Sequence, residues 1–247
     1  MNHQNFDLSQ IGRITDISTV RTDVTMSEVE QLIDIVKGFH CICASPMPCV
    51  TKYVIDRLAD TPETVVTGVV SFPAGADTTS MKVFTAKEMI ALGCKELDMV
   101  INVGALKSGQ YDIVHDDIKA VVDAADGVPV KSILEICYLT DDEIKRGSEI
   151  AVKAGVTFVK TGTGWGPKPT TVETVRLIKQ TIGDSALIKA AGGVRDLDTM
   201  LAMIDAGCNR FGIGIRSAMN IFKEAYERAG IPLPELKTFA ASVNDTY

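Results

Sequence analysis

Short apolar runs alternate along the chain with longer stretches in which apolar positions return every three to four residues. The first pattern fits a buried strand and the second an amphipathic helix. The runs at 13–17, 40–44, 64–71, 96–102, 130–136, 158–161, 186–190 and 210–214 predict strands. The stretches at 27–37, 50–58, 79–92, 111–125, 141–154, 171–181, 197–206 and 218–229 predict helices. End signals support several of these. Thr140 followed by Glu143 has the spacing of a capping box, and Gly93, Gly155 and Gly207 stand where a helix hands over to a strand.

Eight strand–helix units of roughly 25–35 residues each predict an α/β protein of (β/α)8 TIM-barrel type. No linker rich in Pro, Gly or Ser interrupts them, so residues 1–247 are expected to form a single domain. An open doubly wound sheet is the rival. It usually carries a glycine-rich turn after its first strand, which this sequence lacks.

Composition narrows the function without changing the fold. The 247 residues are 46% hydrophobic and 23% charged, with a formal net charge of −7. That balance excludes wholesale disorder, and an acidic chain is a poor match for nucleic acid. No apolar run reaches the roughly 20 residues of a membrane span. The N-terminal segment has no basic-then-apolar leader, so a cytoplasmic location is expected. Six cysteines are too few for a disulfide scaffold. Cys41, Cys43 and Cys49 cluster, but nothing follows them at zinc-site spacing, and Cys41 and Cys43 alternate as small hydrophobes on one strand face.

In a barrel the chemistry sits at the C-terminal ends of the strands. Strand 6 ends Phe158-Val159-Lys160-Thr161-Gly162-Thr163-Gly164, and strand 7 ends Ile188-Lys189-Ala190-Ala191-Gly192-Gly193-Val194-Arg195. Two lysines on adjacent strands would repel, and burial also opposes their charge, so one of them should have a lowered pKa. A neutral amine is what Schiff-base chemistry requires. The alternative is a pair of lysines snorkelling at the rim. Strand 4 carries Asp98 among apolar residues, on the face of Glu96, Val100 and Asn102. Lys160 and Lys189 are its obvious counter-charges. It would either move protons or form a structural ion pair. Gly192-Gly193 and Gly212-Ile213-Gly214 occupy the place where barrels hold phosphate, with Arg195 and Arg216 near enough in sequence to contribute. His40 and His115 read as surface or rim residues.

The segments ELDMVINVGALKSG, VKSILEICYLT, FVKTGTG and IKAAGGVR, in this order, resemble deoxyribose-phosphate aldolases from about Ile14 to Ser217. The resemblance implies a class I aldolase that needs no metal or other cofactor. Such an enzyme reversibly cleaves 2-deoxyribose 5-phosphate to acetaldehyde and glyceraldehyde 3-phosphate. By matching positions it implies Lys160 as the Schiff-base lysine, Lys189 as the second lysine that lowers its pKa, and Asp98 in the proton relay. The terminal Tyr247 matches a tyrosine that assists proton transfer in some members. Asp16, Ser18, Cys43, Lys131 and Thr163 are implied to lie at the substrate, with Lys131 and Glu135 the matching lysine and glutamate of strand 5. Gly164, Gly192, Gly193, Val194, Arg195, Gly212, Gly214 and Arg216 fall on the phosphate end.

Several positions depart from the family pattern. Gly214-Ile215 replaces a Ser-Ser pair whose hydroxyls hold phosphate, and Arg216 follows it. Trp165-Gly166-Pro167-Lys168 replaces smaller or basic residues, and Ile17 stands where a His is frequent. The alternatives are therefore a lysine aldolase for another sugar or sugar phosphate, and a barrel that binds a sugar phosphate without turnover. A phosphosugar isomerase lacks the Glu/His pair it would need. The expected partners are small molecules, a sugar phosphate or an aldehyde. Neither nucleic acid nor membrane is expected, and assembly into a homo-oligomer is left open.

Overall fold

The computed structural model describes residues 3–238. Two 3-10 turns, His3–Asn5 and Leu8–Ile14, precede β1 (Thr15–Thr19) and α1 (Met26–Gly38). There follow β2 (Cys43–Pro46), α2 (Pro48–Arg57), β3 (Val65–Val70), α3 (Thr79–Leu92), β4 (Glu96–Val100), a short α4 (Val103–Lys107) and α5 (Tyr111–Ala124). The chain continues through β5 (Val130–Ile133), a 3-10 turn (Ile136–Tyr138), α6 (Asp141–Lys153), β6 (Phe158–Lys160) and α7 (Val172–Ile182). It closes with β7 (Leu187–Ala191), α8 (Leu197–Asp205), β8 (Arg210–Gly214) and α9 (Ile215–Ala229). The strands form a closed parallel barrel in chain order, with β8 returning to β1. This is the (β/α)8 barrel that the alternating pattern predicts.

Local chemistry explains the joints. Thr140 and Glu143 form the expected capping box, and Thr25 with Glu28 makes a second one at α1. Gly93, at φ +115°, ends α3 in the left-handed region, where a side chain would be strained.

Period two sorts the strands. Ile17, Leu97, Met99, Val159, Ile188, Phe211 and Ile213 are buried and belong to the apolar core. Between them, Asp16, Glu96, Asp98, Lys131, Lys160, Lys189 and Arg210 form one hydrogen-bonded charge cluster within the barrel. Register brings these residues side by side. Asp98 pairs with Lys131, Lys160 with Lys189, and Lys189 with Arg210. The barrel is thus oily on its outer face and ionic within.

Several boundaries differ from the sequence reading, and three of them have a visible cause. Arg13 lies in the 3-10 turn before β1, where its guanidinium binds the carbonyls of His40 and Glu63. His40 is exposed at φ +51°, so β2 starts three residues later than predicted. The strand predicted through Ile136 stops at Ile133, because Glu135 at φ +57° turns the chain away. Helix α4 was not expected. Five residues are too few to show a helical period, although Asn102 caps it by accepting from the Ala105 N–H at 3.0 Å.

Candidate active site

A cavity opens at the C-terminal end of the barrel. Lys160 and Lys189 reach it from β6 and β7, and Asp16 and Ser18 from β1. Thr163, Gly164, Gly192, Gly193, Val194, Arg195, Gly212 and Gly214 complete the part of its lining expected from sequence. The consecutive glycines are required. Gly192 and Gly193 stand at φ +85° and +89°, and a Cβ on Gly193 would lie 2.3 Å from Pro169. Gly212 is needed for space, since its Cβ would crowd Lys189 Cε at 3.1 Å.

Beneath the cavity the charges are paired. Asp98 is fully buried and its Oδ2 accepts from Lys160 Nζ at 2.7 Å and from Lys189 Nζ at 2.8 Å. Its Oδ1 accepts from Lys131 Nζ at 2.8 Å and from Thr67 Oγ1 at 3.1 Å. Lys189 also donates to Asp16 Oδ2 at 2.5 Å.

Electrostatics separate the two pocket lysines. Burial, reinforced by Lys189 and Lys131, brings the Lys160 ammonium down from 10.5 to about 8, against the pull of Asp98. For Lys189 burial acts the same way, but Asp16 and Asp98 outweigh it and raise its pKa. Burial would raise Asp98, yet Lys131, Lys160 and Lys189 hold it well below the carboxylate range. An ionised Asp98 beside a readily deprotonated Lys160 is not a contradiction. Lys131 and Lys189 already balance Asp98, so it does not need a charged Lys160. The geometry thus gives one lysine with a lowered pKa and one with a raised pKa, as the strand-end spacing suggests. Burial contributes more to it than mutual repulsion does.

Other expected residues lie away from the cavity wall. Lys131 is buried below its floor, between Asp98 and Glu96. Cys43 is also fully buried, and burial pushes its thiol well above the ordinary range. Ser45, two residues further along β2 on the same face, lines the cavity instead. Arg216 is exposed on the first turn of α9 and is not part of the lining. The next residue, Ser217, is part of it, because neighbours on a helix point about 100° apart. Tyr247 lies outside the described residues. Glu135 holds the β6 loop by accepting from the Thr163 hydroxyl and N–H.

Sequence reading missed Ser45, Val20, Val69, Phe72 and Ser217 in the lining. It also missed Arg210, which binds Asp16 and Glu96 below the cavity. The signal for Ser45 was its spacing from Cys43. The signal for Arg210 was its period-two relation to Gly212 and Gly214.

Residues 11–224 match the family described as DeoC/LacD family aldolase. The chain belongs to that family. Among curated relatives, a deoxyribose-phosphate aldolase of an Exiguobacterium species is 42% identical over 82% of this chain and 92% of its own. The Sinorhizobium medicae deoxyribose-phosphate aldolase is 41% identical over 87% of this chain and 86% of its own. Among solved structures, the aldolase QR15 superposes with a TM-score of 0.82 at 33% identity, covering 90% of this chain and 97% of that one. The family is therefore one of aldolases, and the barrel is its fold. Among the described residues no helix is long and apolar enough to cross a membrane.

Proposed function

We propose that the protein is a class I aldolase that reversibly cleaves 2-deoxy-D-ribose 5-phosphate to acetaldehyde and D-glyceraldehyde 3-phosphate. It would act in the cytoplasm on small molecules, without a cofactor. One observation carries the reading: the Lys160 amine, with its pKa brought to about 8, stands at the cavity floor beside Asp98. The names of its relatives supply the substrate.

The neutral Lys160 amine attacks the aldehyde carbon C1 to give a carbinolamine. The ammonium of Lys189, which lines the cavity, is placed to protonate the departing oxygen, so that water leaves and a protonated imine remains. A proton then leaves the C3 hydroxyl towards Asp98 through water. The C2–C3 bond breaks, and its electron pair moves into the imine to form an enamine. Glyceraldehyde 3-phosphate departs. Protonation at C2 and addition of water release acetaldehyde and restore the amine.

The phosphate end favours a second reading in which the acceptor is unphosphorylated. Where the family carries two hydroxyls, Gly214 has none, Ile215 is buried, and Arg216 is not part of the lining. Arg195, Ser217 and the backbone of the glycine loops still line this end. Borohydride added with acetaldehyde should leave a two-carbon adduct on Lys160. A panel comparing deoxyribose with its 5-phosphate should favour the phosphate. An adduct on a different lysine would overturn the mechanism, and equal turnover of the two sugars would install the second reading.

A further inference from the structure

The seven charged groups inside the barrel are not a random cluster. Arg210 Nε donates to Asp16 Oδ1 at 2.5 Å, and Asp16 Oδ2 accepts from Lys189 at 2.5 Å. Lys189 reaches Asp98 at 2.8 Å, and Asp98 reaches Lys131 at 2.8 Å. Lys131 lies 2.6 Å from Glu96, and Glu96 accepts from Arg210 at 3.0 Å and 3.3 Å. The path returns to its start. It is a closed loop of three cations and three carboxylates in strict alternation. Among the described residues, Lys160 stands outside it, attached only through the Asp98 oxygen that it shares with Lys189.

We propose that this loop is the device that lets Lys160 give up its proton readily, and that Arg210 and Glu96, which do not line the cavity, are its positioning residues. The inference rests on the reading of Lys160 as the imine-forming group.

A lysine 2.7 Å from a buried aspartate is ordinarily held as an ammonium by that aspartate. Here the loop is balanced without Lys160, and a proton on Lys160 would add a buried charge with no counter-charge left to meet it. The other groups facing it do not alter this count. Cys43 from β2 has its thiol pushed up by burial and stays neutral, and Thr67 from β3 is uncharged. Glu135, in the loop after β5, is engaged by Thr163. The phenyl ring of Phe158 lies under both Lys131 and Arg210, with their charged ends 5.9 Å and 5.8 Å from its centroid.

The same imbalance helps the chemistry. The protonated imine places one unmatched positive charge where the ammonium was avoided. Cleavage of C2–C3 sends an electron pair into that cation and gives a neutral enamine, while the C3 hydroxyl proton leaves with the base. Bond breaking therefore discharges the imine at Lys160, and its positive charge passes with the C3 hydroxyl proton to the base.

The test measures the amine directly. Trace acetylation of Lys160 by acetic anhydride, mapped by mass spectrometry, is followed from about pH 6 to pH 10. Arg210→Met leaves one carboxylate unmatched. Labelling of Lys160 at pH 7 should fall about tenfold for each unit its pKa rises, and recover near pH 10. Glu96→Gln leaves one cation unmatched and should move the profile the opposite way. Arg210→Met combined with Glu96→Gln should return it to the wild-type position, and Arg210→Lys should barely move it. A merely structural role would lower stability in both single variants without opposite shifts. If Arg210→Met does not fold, the downward shift in Glu96→Gln decides alone. Shifts of the same sign, or no shift in Glu96→Gln, overturn the proposal. Failure of wild type to form the acetaldehyde adduct refutes the imine reading separately, because acetylation needs no aldolase chemistry.

Discussion

Two buried lysines in this molecule each hold an aspartate, in different surroundings. Lys82 on α3 is fully buried and lies 2.6 Å from Asp117 of α5 and 3.1 Å from the Val100 carbonyl. Thr79 donates to the other Asp117 oxygen at 2.8 Å. This is one cation, one anion and a satisfied set of hydrogen bonds between two helices and a strand. Lys160 lies as close to its aspartate, at 2.7 Å, but that aspartate already serves two other lysines. Its side chain keeps 8% of its surface open, on the cavity. Burial beside a carboxylate therefore does not make a lysine reactive. What counts is whether the carboxylate is already matched and whether the amine has a route to substrate.

Exchanging the two phenotypes would break this comparison. Lys160→Arg should lower turnover by at least ~10³-fold, since the covalent step is lost while the charge remains. Its thermal transition should stay near that of wild type. Lys82→Met should do the reverse. Leaving Asp117 buried without its partner should cost about 3–5 kcal/mol of stability, read as a lower denaturation midpoint. Its kcat/KM below the transition should stay within about twofold of wild type, the scatter of a remote substitution. Activity lost in step with stability in both variants would mean that both pairs are structural.

A smaller effect is expected at Lys189. Lys189→Leu removes a charge that opposes the Lys160 ammonium, so the Lys160 pKa should rise from about 8 towards 10.5. The amine is the reactive form and predominates only above its pKa. Adduct formation should therefore drop about tenfold or more at pH 7 and recover partly in alkali. A pH profile identical to wild type would assign Lys189 to substrate binding instead.

The smallest effects belong to the cavity mouth. Ser217→Ala removes one neutral donor from the lining and should weaken phosphorylated substrates by about two- to tenfold. Arg216→Ala, at an exposed position outside the lining, should change them less. The reverse order, measured as KM for deoxyribose 5-phosphate, would show that Arg216 swings into the mouth when substrate binds.

Much of the candidate site was legible because barrel chemistry concentrates at strand ends, where a lysine, an aspartate or paired glycines stand out against apolar neighbours. Lys160, Lys189, Asp98, Gly192 and Gly193 were found in that way. Lys82 was not, because a lysine in the middle of a helix looks like any solvated one. Arg216 and Ser217 could not be told apart from sequence, since only the start of α9 fixes which of them turns inward.

The sequence by itself determined the barrel and the contents of its strands. Alternation is a local property, and each run carries its own period and its own end signals. It also determined that two lysines would share a floor, because β6 and β7 lie side by side. Only the tertiary structure decided the closed loop of charges. Its members come from β1, β4, β5, β7 and β8, and Asp16 and Arg210 are 194 residues apart in the chain. Whether Lys160 holds a proton depends on how completely those charges cancel over a few ångströms. Coulomb energy follows distance in space and burial. No local pattern in the chain encodes either one.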